Sequence, residues 1–329
     1  MSHTDDPAAL LGLVATPGEG WLGPVRGHDS YDGRGLAERA MAFRTRMLHA
    51  SALRTGWRRR PADTVLFRHP PHGTAAGLRL WLGDESGRVS ARPLGLSPGS
   101  GEPFQHTVPG GHWFAVELTA GELGLWSEAV VPGAEFDRST ADPAQEPPGL
   151  PADLDAQPAD RTVAPADPGG TPTVRDALKL TSHVEGGYYR QYYESATSVH
   201  TSRGPRPTAN TIHYLLDQDS PVGHLHLNTA HITHFLNSGG PIRYLLLAPD
   251  GEVHEVTMGD DLAAGQVLTF TCPGGWWKTS RLVDGAGHGL ISEMVAPGFD
   301  FRDQAIARAE QIAGQFPAAF EVLRPYISG

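Results

Sequence analysis

Pro109-Gly-Gly-His-Trp113 returns 164 residues later as Pro273-Gly-Gly-Trp-Trp277, and this repeated stretch decides the fold. A second pair follows in the same order and at an offset of 165, Ser127-Glu-Ala-Val-Val-Pro-Gly-Ala-Glu-Phe136 and Ser292-Glu-Met-Val-Ala-Pro-Gly-Phe-Asp-Phe301. Self-similarity at a fixed period is the sign of a repeated structural unit. The sequence therefore predicts one domain that occurs twice.

Short apolar segments fill the space between these repeats. Gly87 and Gly95 in the first copy match Gly251 and Gly259 in the second, each where a hairpin turn would close an apolar run. Many short strands with turn residues between them are typical of an antiparallel sandwich or barrel. The segments predicted as strands in the second copy are Thr211–Leu216, Val222–Leu227, Ile232–Leu236, Ile242–Leu247, Val253–Met258, Val267–Thr271 and Leu290–Val295.

The segment 138–172 separates the two copies. It is rich in Pro, Ala and Asp and has no aromatic residue, so it cannot bury enough apolar area to offset its ordering entropy. We expect a linker there, between domains at 1–137 and 173–329. Within 303–326, apolar residues recur at a spacing of three to four, which predicts one or two amphipathic helices interrupted around Pro317.

Composition excludes several classes of protein. The chain carries 26 Lys and Arg against 37 Asp and Glu, a net charge of −11, which disfavours a nucleic-acid partner. Cys272 is the only cysteine, so neither an intramolecular disulfide nor a cysteine-based zinc cluster is expected. The N-terminus does not resemble a signal peptide, and no run of 18 apolar residues predicts a membrane span. We expect a cytoplasmic protein.

Several strings in the second copy carry a family resemblance. They are Glu185-Gly-Gly-Tyr-Tyr-Arg190, the His-rich stretch 224–234, Gly259-Asp-Asp-Leu-Ala-Ala-Gly-Gln266, Pro273-Gly-Gly-Trp-Trp277 and Val295-Ala-Pro-Gly-Phe-Asp-Phe301. Together they resemble a branch of the cupin superfamily over most of 174–303, and residues 10–137 look like a diverged copy. The resemblance implies an all-β chain of two tandem cupin domains, jelly-roll β-barrels, with a C-terminal helical tail. Each barrel mouth would hold a metal or a small ligand.

The resemblance also implies a metal site in the second barrel. His224-x-His226 matches the His-x-His of cupins, and strand alternation would place both imidazoles on one face. His231 stands where the pattern has Glu, and Lys278 stands where it has a final His. We predict a centre of three histidines, His224, His226 and His231, that binds a divalent transition metal. Fe(II) is favoured, with Mn, Ni, Zn and Cu as alternatives.

Three further residues are candidates for catalysis. Lys278 could orient a carboxylate or donate a proton, and Tyr214 could line the pocket. Glu293 could act as an acid or base, although Glu128 repeats it in the first copy, which favours a role in the fold. The sequence leaves open whether His213 joins the site.

The sequence also leaves open whether His234 joins the site. It lies three residues after His231, so alternation places it on the opposite face of a strand, which favours a structural role.

The first copy lacks the predicted ligands. Aligning Gly56 with Gly223 brings Trp57, Arg58 and Arg59 to the His-x-His strand. We therefore expect a metal-free N-terminal barrel that packs on its partner within the chain or binds an organic ligand, and the chain as a whole could form a homodimer.

Three functions are compatible with these residues. The first is a metal-dependent enzyme acting on a small polar or anionic metabolite, most simply an Fe(II) oxygenase or other oxidoreductase, because three neutral imidazoles leave the charge of the metal uncancelled. The second is a metal-assisted isomerase, epimerase or lyase. The third is a non-catalytic module that senses a metabolite. In each case the partner is a small molecule, and neither nucleic acid nor a membrane is expected.

Overall fold

The structure is a computed structural model. It describes residues 6–31, 37–70, 76–84, 86–95, 104–136 and 173–328. The predicted linker 138–172 lies outside these residues. The chain divides into two compact units, one of Met1–Asp29 and Ala37–Leu178, the other of Ser30–Leu36 and Lys179–Gly329. No helix among the described residues is long and apolar enough to cross a membrane.

The first unit is built almost entirely of strands. Its elements before the linker are α1 (Pro7–Leu10), β1 (Val14–Thr16), β2 (Gly20–Leu22), β3 (Arg26–Tyr31), β4 (Ala37–His49), β5 (Arg58–Arg59), β6 (Asp63–Arg68), β7 (Gly77–Gly83), β8 (Val89–Pro93), β9 (Gln105–Val108), β10 (Trp113–Ala120) and β11 (Leu123–Val131). One sheet has the order β1-β2-β4-β11-β6-β9, with β3 beside β4, and the other has the order β5-β10-β7-β8. Neighbouring strands are antiparallel.

The core of the first unit lies between these two sheets. Leu66 and Trp126 from the larger sheet share one buried cluster with Leu80 and Phe114 from the smaller. Full burial of such a side chain stabilises a fold by about 1.5–3 kcal/mol. The two sheets therefore pack face to face.

The second unit repeats this arrangement. Its strands, with the helices that flank them, are α2 (Val174–Ala177), β12 (Thr181–Ser182), β13 (Tyr188–Glu194), β14 (Ser198–Thr201), β15 (Gly204–Pro207), β16 (Asn210–Asp217), β17 (Val222–Asn228), β18 (His231–Gly239), β19 (Ile242–Leu247), β20 (Val253–Met258), β21 (Thr269–Cys272), β22 (Trp277–Leu282), β23 (His288–Ala296), β24 (Gln304–Ile306), α3 (Ala309–Gln315) and α4 (Pro317–Leu323). Its sheets have the orders β12-β13-β16-β23-β18-β21 and β20-β19-β22-β17-β24, and β14 pairs with β15. Apart from β3 in the first unit and β14, β15 and β24 in the second, the strand orders of the two units match, which confirms the predicted duplication.

The seven predicted strand segments all fall on strands, β16 to β21 and β23. The sequence did not predict β22, because its inward positions hold Lys278 and Ser280 instead of apolar residues. Polar residues inside a strand hide the alternation that marks a half-buried strand.

The Pro-Gly-Gly turns have a steric explanation. A Cβ atom at Gly110 would overlap the carbonyl oxygen of Pro61, and one at Gly274 would overlap the carbonyl oxygen of Thr229. Only glycine tolerates such a close approach of two backbones. The same constraint therefore acts in both units, at equivalent places.

The C-terminal tail forms the predicted pair of helices, and Pro317 stands at the first turn of α4, where proline is tolerated. Ile312 and Leu323 pack with Leu225 and Trp277, on the outer face of the sheet that contains β17 and β22. One detail of the prediction was wrong. Residues 304–306 are β24, which pairs with β17, so the tail adds an edge strand before its helices begin.

Candidate active site

A cavity of about 90 Å³ opens on the inner face of the larger sheet of the second unit. Asn210 and Ile212 line it from β16, Ile232 from β18, and Glu293 and Val295 from β23. Lining residues from one strand are two positions apart, as strand alternation requires. This face of the sheet therefore decides which predicted residues can reach a ligand.

His231 does not lie on that face. Its neighbour Ile232 lines the cavity, and the pairing of β18 with β23 is regular from His231 to Leu236, so alternation turns His231 away. Its Nδ1 accepts a hydrogen bond from the backbone N–H of Gly274 at 3.2 Å. The inward position belongs instead to His234, which is fully buried.

His224 and His226 are also arranged differently from the prediction. The pairing of β17 with β22 shifts by one residue between Gly223 and His226, which interrupts the alternation that the His-x-His interpretation assumed. His226 is buried, and its Nδ1–H donates to the carbonyl oxygen of His224 at 2.7 Å. Its Nε2 lies 3.2 Å from Oε2 of Glu185.

The residues present do not fit a metal. In the part of the chain that the structure describes, no group of three or more His, Cys, Asp or Glu side chains is placed to hold a metal ion. The three predicted ligands His224, His226 and His231 are described, and the structure does not bring them together.

A buried lysine stands beside the cavity instead. Lys278 Nζ donates to Glu293 Oε1 at 2.9 Å and lies 2.8 Å from His234 Nε2. Burial alone would raise the pKa of Glu293, but the Lys278 ammonium outweighs it and holds that pKa well below its usual range. Burial lowers the pKa of His234 to about 4, so its ring is neutral. Glu293 thus faces the cavity as a carboxylate with its countercharge behind it.

His213 lies on the other face of β16, because Ile212 lines the cavity. It is buried against Ser292, whose Oγ is 3.4 Å from His213 Nδ1, and its ring meets Tyr192 edge to face. His213 therefore does not line the cavity.

Glu185 is the second carboxyl group that lines the cavity, and the sequence did not single it out for chemistry. Gln304 donates to its Oε1. Burial, the largest influence, raises the pKa of Glu185 to about 8, although Lys278 lowers it. At neutral pH this side chain is mostly a protonated acid, placed beside the Nε2 of His226.

His183 and Tyr214 hold the turn that carries Glu185. The backbone N–H of Glu185 donates to His183 Nδ1 at 3.2 Å, and the Tyr214 hydroxyl donates to the carbonyl oxygen of Gly186 at 2.9 Å. Burial, with Glu185 and Glu293 nearby, raises the pKa of Tyr214 well above its usual value, so the hydroxyl keeps its proton. Tyr214 therefore positions this turn, and its hydroxyl acts as a hydrogen-bond donor.

The signal for Glu185 was present in the sequence. The string Glu185-Gly-Gly-Tyr-Tyr-Arg190 carried the family resemblance, and Gly187 has a positive φ of 69° with Tyr214 packed against it. A glycine with positive φ marks a turn that other residues adopt only with strain, and this turn carries Glu185. The corresponding string of the first unit, Thr16-Pro-Gly-Glu-Gly-Trp21, places its Glu one position later.

The first unit fills the equivalent space with ion pairs. Glu128 is fully buried, with Oε1 2.7 Å from Arg46 Nη1 and 3.0 Å from Arg60 Nη2, while its Oε2 is 3.6 Å from Arg58 Nη2. Glu19 contacts both Arg46 and Arg58. Burial alone would raise the pKa of Glu128, but these arginines hold it well below its usual range.

Strand pairing shows that these are equivalent positions. Glu128 pairs with Leu66 as Glu293 pairs with His234. Arg58 pairs with Phe114, which holds the place of Lys278 in the repeat, so Arg58 takes the place of His226. The sequence alignment that brought Arg58 to this strand was therefore displaced by one residue.

Comparison with known proteins places the chain in a family. It is 33% identical to the uncharacterized protein YML079W of Saccharomyces cerevisiae over 160 residues, which are 44% of this chain and 79% of that protein. Among solved structures, a hypothetical protein from Leishmania major is 30% identical, with a TM-score of 0.45, covering 47% of this chain and 97% of that one. An oxalate decarboxylase variant of Bacillus subtilis is 12% identical with a TM-score of 0.49, covering 95% of this chain and 83% of that one. Since the Cupin superfamily (DUF985) model matches both residues 9–141 and residues 173–307, the chain belongs to that family, and it carries the domain twice.

Proposed function

We propose that the second barrel is an acid–base enzyme that moves a proton on a small polar metabolite, as an isomerase, epimerase or lyase does. One observation carries the proposal: two carboxyl groups, Glu185 and Glu293, line a single cavity with different partners behind them. Glu185 has an imidazole nitrogen at 3.2 Å, and Glu293 has an ammonium at 2.9 Å. When the surroundings of two carboxyl groups push their pKa values apart, one group usually acts as the protonated acid of the site and the other as its carboxylate.

Glu185 is the proton donor in this proposal. The Nδ1–H of His226 is held by a backbone carbonyl, so in the neutral ring Nε2 is unprotonated and faces Glu185 Oε2 at 3.2 Å without taking its proton. Burial lowers the pKa of His226 to about 3, which keeps that ring neutral at rest. Glu185 can give its proton to one atom of a substrate and, as the resulting carboxylate, take the proton that another atom of the substrate loses, so the proton balance closes at this one side chain.

Glu293 and Lys278 supply fixed charge. The carboxylate of Glu293 can accept a hydrogen bond from a substrate hydroxyl and orient it toward Glu185. Lys278 does not line the cavity, and it acts through Glu293 as a positioning residue. The Fe(II) oxygenase that the resemblance suggested has no ligand set among the described residues, so the acid–base class accounts better for the groups present.

The test is proton exchange with solvent. The protein is incubated in D₂O with a small-metabolite extract, and mass spectrometry follows deuterium incorporated into individual metabolites, with and without EDTA. We expect incorporation into a small set of compounds that survives EDTA and falls at least 100-fold in Glu185→Gln, because general acid catalysis contributes about 10²–10⁴-fold. Glu252→Gln, at an exposed carboxylate, is the matched control. Equal incorporation by Glu185→Gln, or incorporation that EDTA abolishes and Fe(II) restores, would refute the proposal.

A further inference from the structure

The charges of the cavity limit what it can bind. Among the residues that line it, the ionisable acids are Glu185 and Glu293, and none is Lys or Arg. The nearest ammonium, Lys278, is 3% exposed and is engaged by Glu293 and His234. A phosphate or carboxylate in this cavity would face carboxyl oxygens, with no Lys or Arg among the described residues that line it.

The uncharged polar groups of the lining are amides. Asn228 is buried, and its Oδ1 has no hydrogen-bond partner in the described structure. The backbone N–H of Phe299 donates to Asn210 Oδ1 at 3.0 Å, which orients the amide so that its NH₂ is the donor left over. Gln191 Nε2 donates to Glu194 at 3.1 Å, which leaves the Gln191 carbonyl as an acceptor. Such a mixture of donors and acceptors matches hydroxyl groups, because a hydroxyl both donates and accepts.

Aromatic side chains complete the lining. Phe299 and Phe301 meet edge to face with ring centroids 5.0 Å apart, and Tyr189 lines the cavity as well. Phe301 is 61% exposed. Its equivalent in the first unit, Phe136, is 4% exposed and packs against the guanidinium groups of Arg44 and Arg60. Of these two equivalent phenylalanines, the one in the second unit is therefore exposed beside the cavity, and the one in the first unit is buried.

From these three features we infer that the cavity binds a neutral, hydroxyl-rich ring of the monosaccharide or cyclic-polyol class. The ring hydroxyls would meet Asn228, Asn210 and Glu293, and the C–H face of the ring would lie on Phe299 or Phe301. This inference rests on the same cavity as the proposed enzyme and names its substrate class. The sequence led us to expect a small polar or anionic metabolite, and this inference restricts that class of compounds to the neutral ones.

The experiment measures binding without turnover. Saturation-transfer NMR and calorimetry compare the methyl glycosides of glucose, galactose, mannose and rhamnose, and myo-inositol, with glucuronate and glucose 6-phosphate. We expect at least one neutral probe to bind, and its anionic counterparts to bind at least tenfold more weakly, about 1.4 kcal/mol. Tighter or equal binding of the anions, or binding of no neutral probe, would overturn the inference.

Variants connect the binding to the cavity. Asn228→Leu and Phe301→Ala should each weaken the best neutral probe about tenfold, while Val322→Ala, at an exposed apolar side chain elsewhere, should leave it unchanged. Thermal melts confirm that each variant folds. Because Phe301 is mostly exposed, its variant remains informative if Asn228→Leu does not fold, and unchanged binding in Phe301→Ala would contradict the arrangement.

Glu185→Gln separates this inference from the proposed function. If the variant binds the neutral probe within threefold of wild type but no protein form exchanges protons, the ligand class stands and the enzyme proposal falls. If exchange occurs only on anionic metabolites, the ligand class falls and the enzyme proposal stands.

Discussion

Glu185 should dominate the pH dependence of stability between about pH 7 and 8. Its pKa is about 8 in the folded chain, above the usual value of 4.5, so in this range the folded state holds a proton that the unfolded state has lost. The free energy of unfolding should therefore fall as pH rises from about 7 to 8, by up to about 1.4 kcal/mol per pH unit. Below about pH 6.5 the slope has the opposite sign, because His213, His226 and His234 are buried as neutral rings and take up protons only on unfolding. Urea unfolding of wild type and Glu185→Gln in the range that Glu185 dominates tests the slope. The variant should lack most of it, Glu252→Gln should keep it, and identical slopes in all three proteins would contradict the assignment.

Lys278 should be essential to the fold as long as Glu293 is charged. Lys278→Met leaves a buried carboxylate without its ammonium, and breaking a buried pair from one side costs about 3–5 kcal/mol. The double variant with Glu293→Gln should recover most of that loss, because no charge then remains unpaired. Chemical denaturation of the two single variants and the double variant gives the coupling energy. A loss below about 1 kcal/mol in Lys278→Met would show that the ammonium does not carry this role.

At the scale of single elements, the C-terminal helices act as part of the barrel wall. Leu323 of α4 is fully buried against the outer face of the smaller sheet, while its neighbour Val322 is 53% exposed. Leu323→Ala should lower the free energy of unfolding by about 2–5 kcal/mol. Val322→Ala should change it by less than about 0.5 kcal/mol. The two substitutions remove similar side chains one residue apart, so equal effects would mean that α4 does not pack as described.

The strands of the second unit could be predicted because their apolar runs alternate and end at turn residues. Where the alternation breaks, prediction fails for a physical reason: the one-residue shift before His226 lies in the pairing of β17 with β22, and no local pattern reports how two distant strands pair. The choice between His231 and His234 depended on which face of β18 meets the cavity. Periodicity divides the residues of a strand between two faces, but it does not show which face points into the barrel.

The chemistry of the site was harder to predict than the fold. Glu185 comes from a turn between β12 and β13 and meets His226 only through the tertiary fold. Its pKa depends on burial, which composition does not show. The glycine string around Glu185 indicated its position in the sequence. The clustered histidines instead matched a known metal-binding pattern, which the tertiary structure does not complete.

At the scale of the whole molecule, the same fold carries a cavity in the second unit, whereas buried ion pairs occupy the equivalent space in the first. The ion cluster of the first unit should make that unit sensitive to the loss of a single carboxylate. Glu128→Gln leaves Arg46, Arg58 and Arg60 as buried cations with Glu19 alone to balance them, and we expect a loss of about 3–5 kcal/mol. Hydrogen exchange should report lost protection in peptides of β4 and β11. Unchanged protection there would show that the cluster contributes little to stability.

The whole chain should also purify without a stoichiometric transition metal. A dication at the inner face of the second barrel would have to displace the Lys278 ammonium from Glu293 and His234, or compete with it at close range, where like charges repel strongly. Elemental analysis after expression in medium containing Fe, Mn, Ni, Zn and Cu should therefore give far less than one equivalent of any of them. His226→Ala should give the same value, whereas Lys278→Ala removes the competing charge and could raise it. One equivalent of metal in wild type that disappears in His226→Ala would restore the three-histidine centre and require the imidazoles to converge in a way that the present side-chain positions do not.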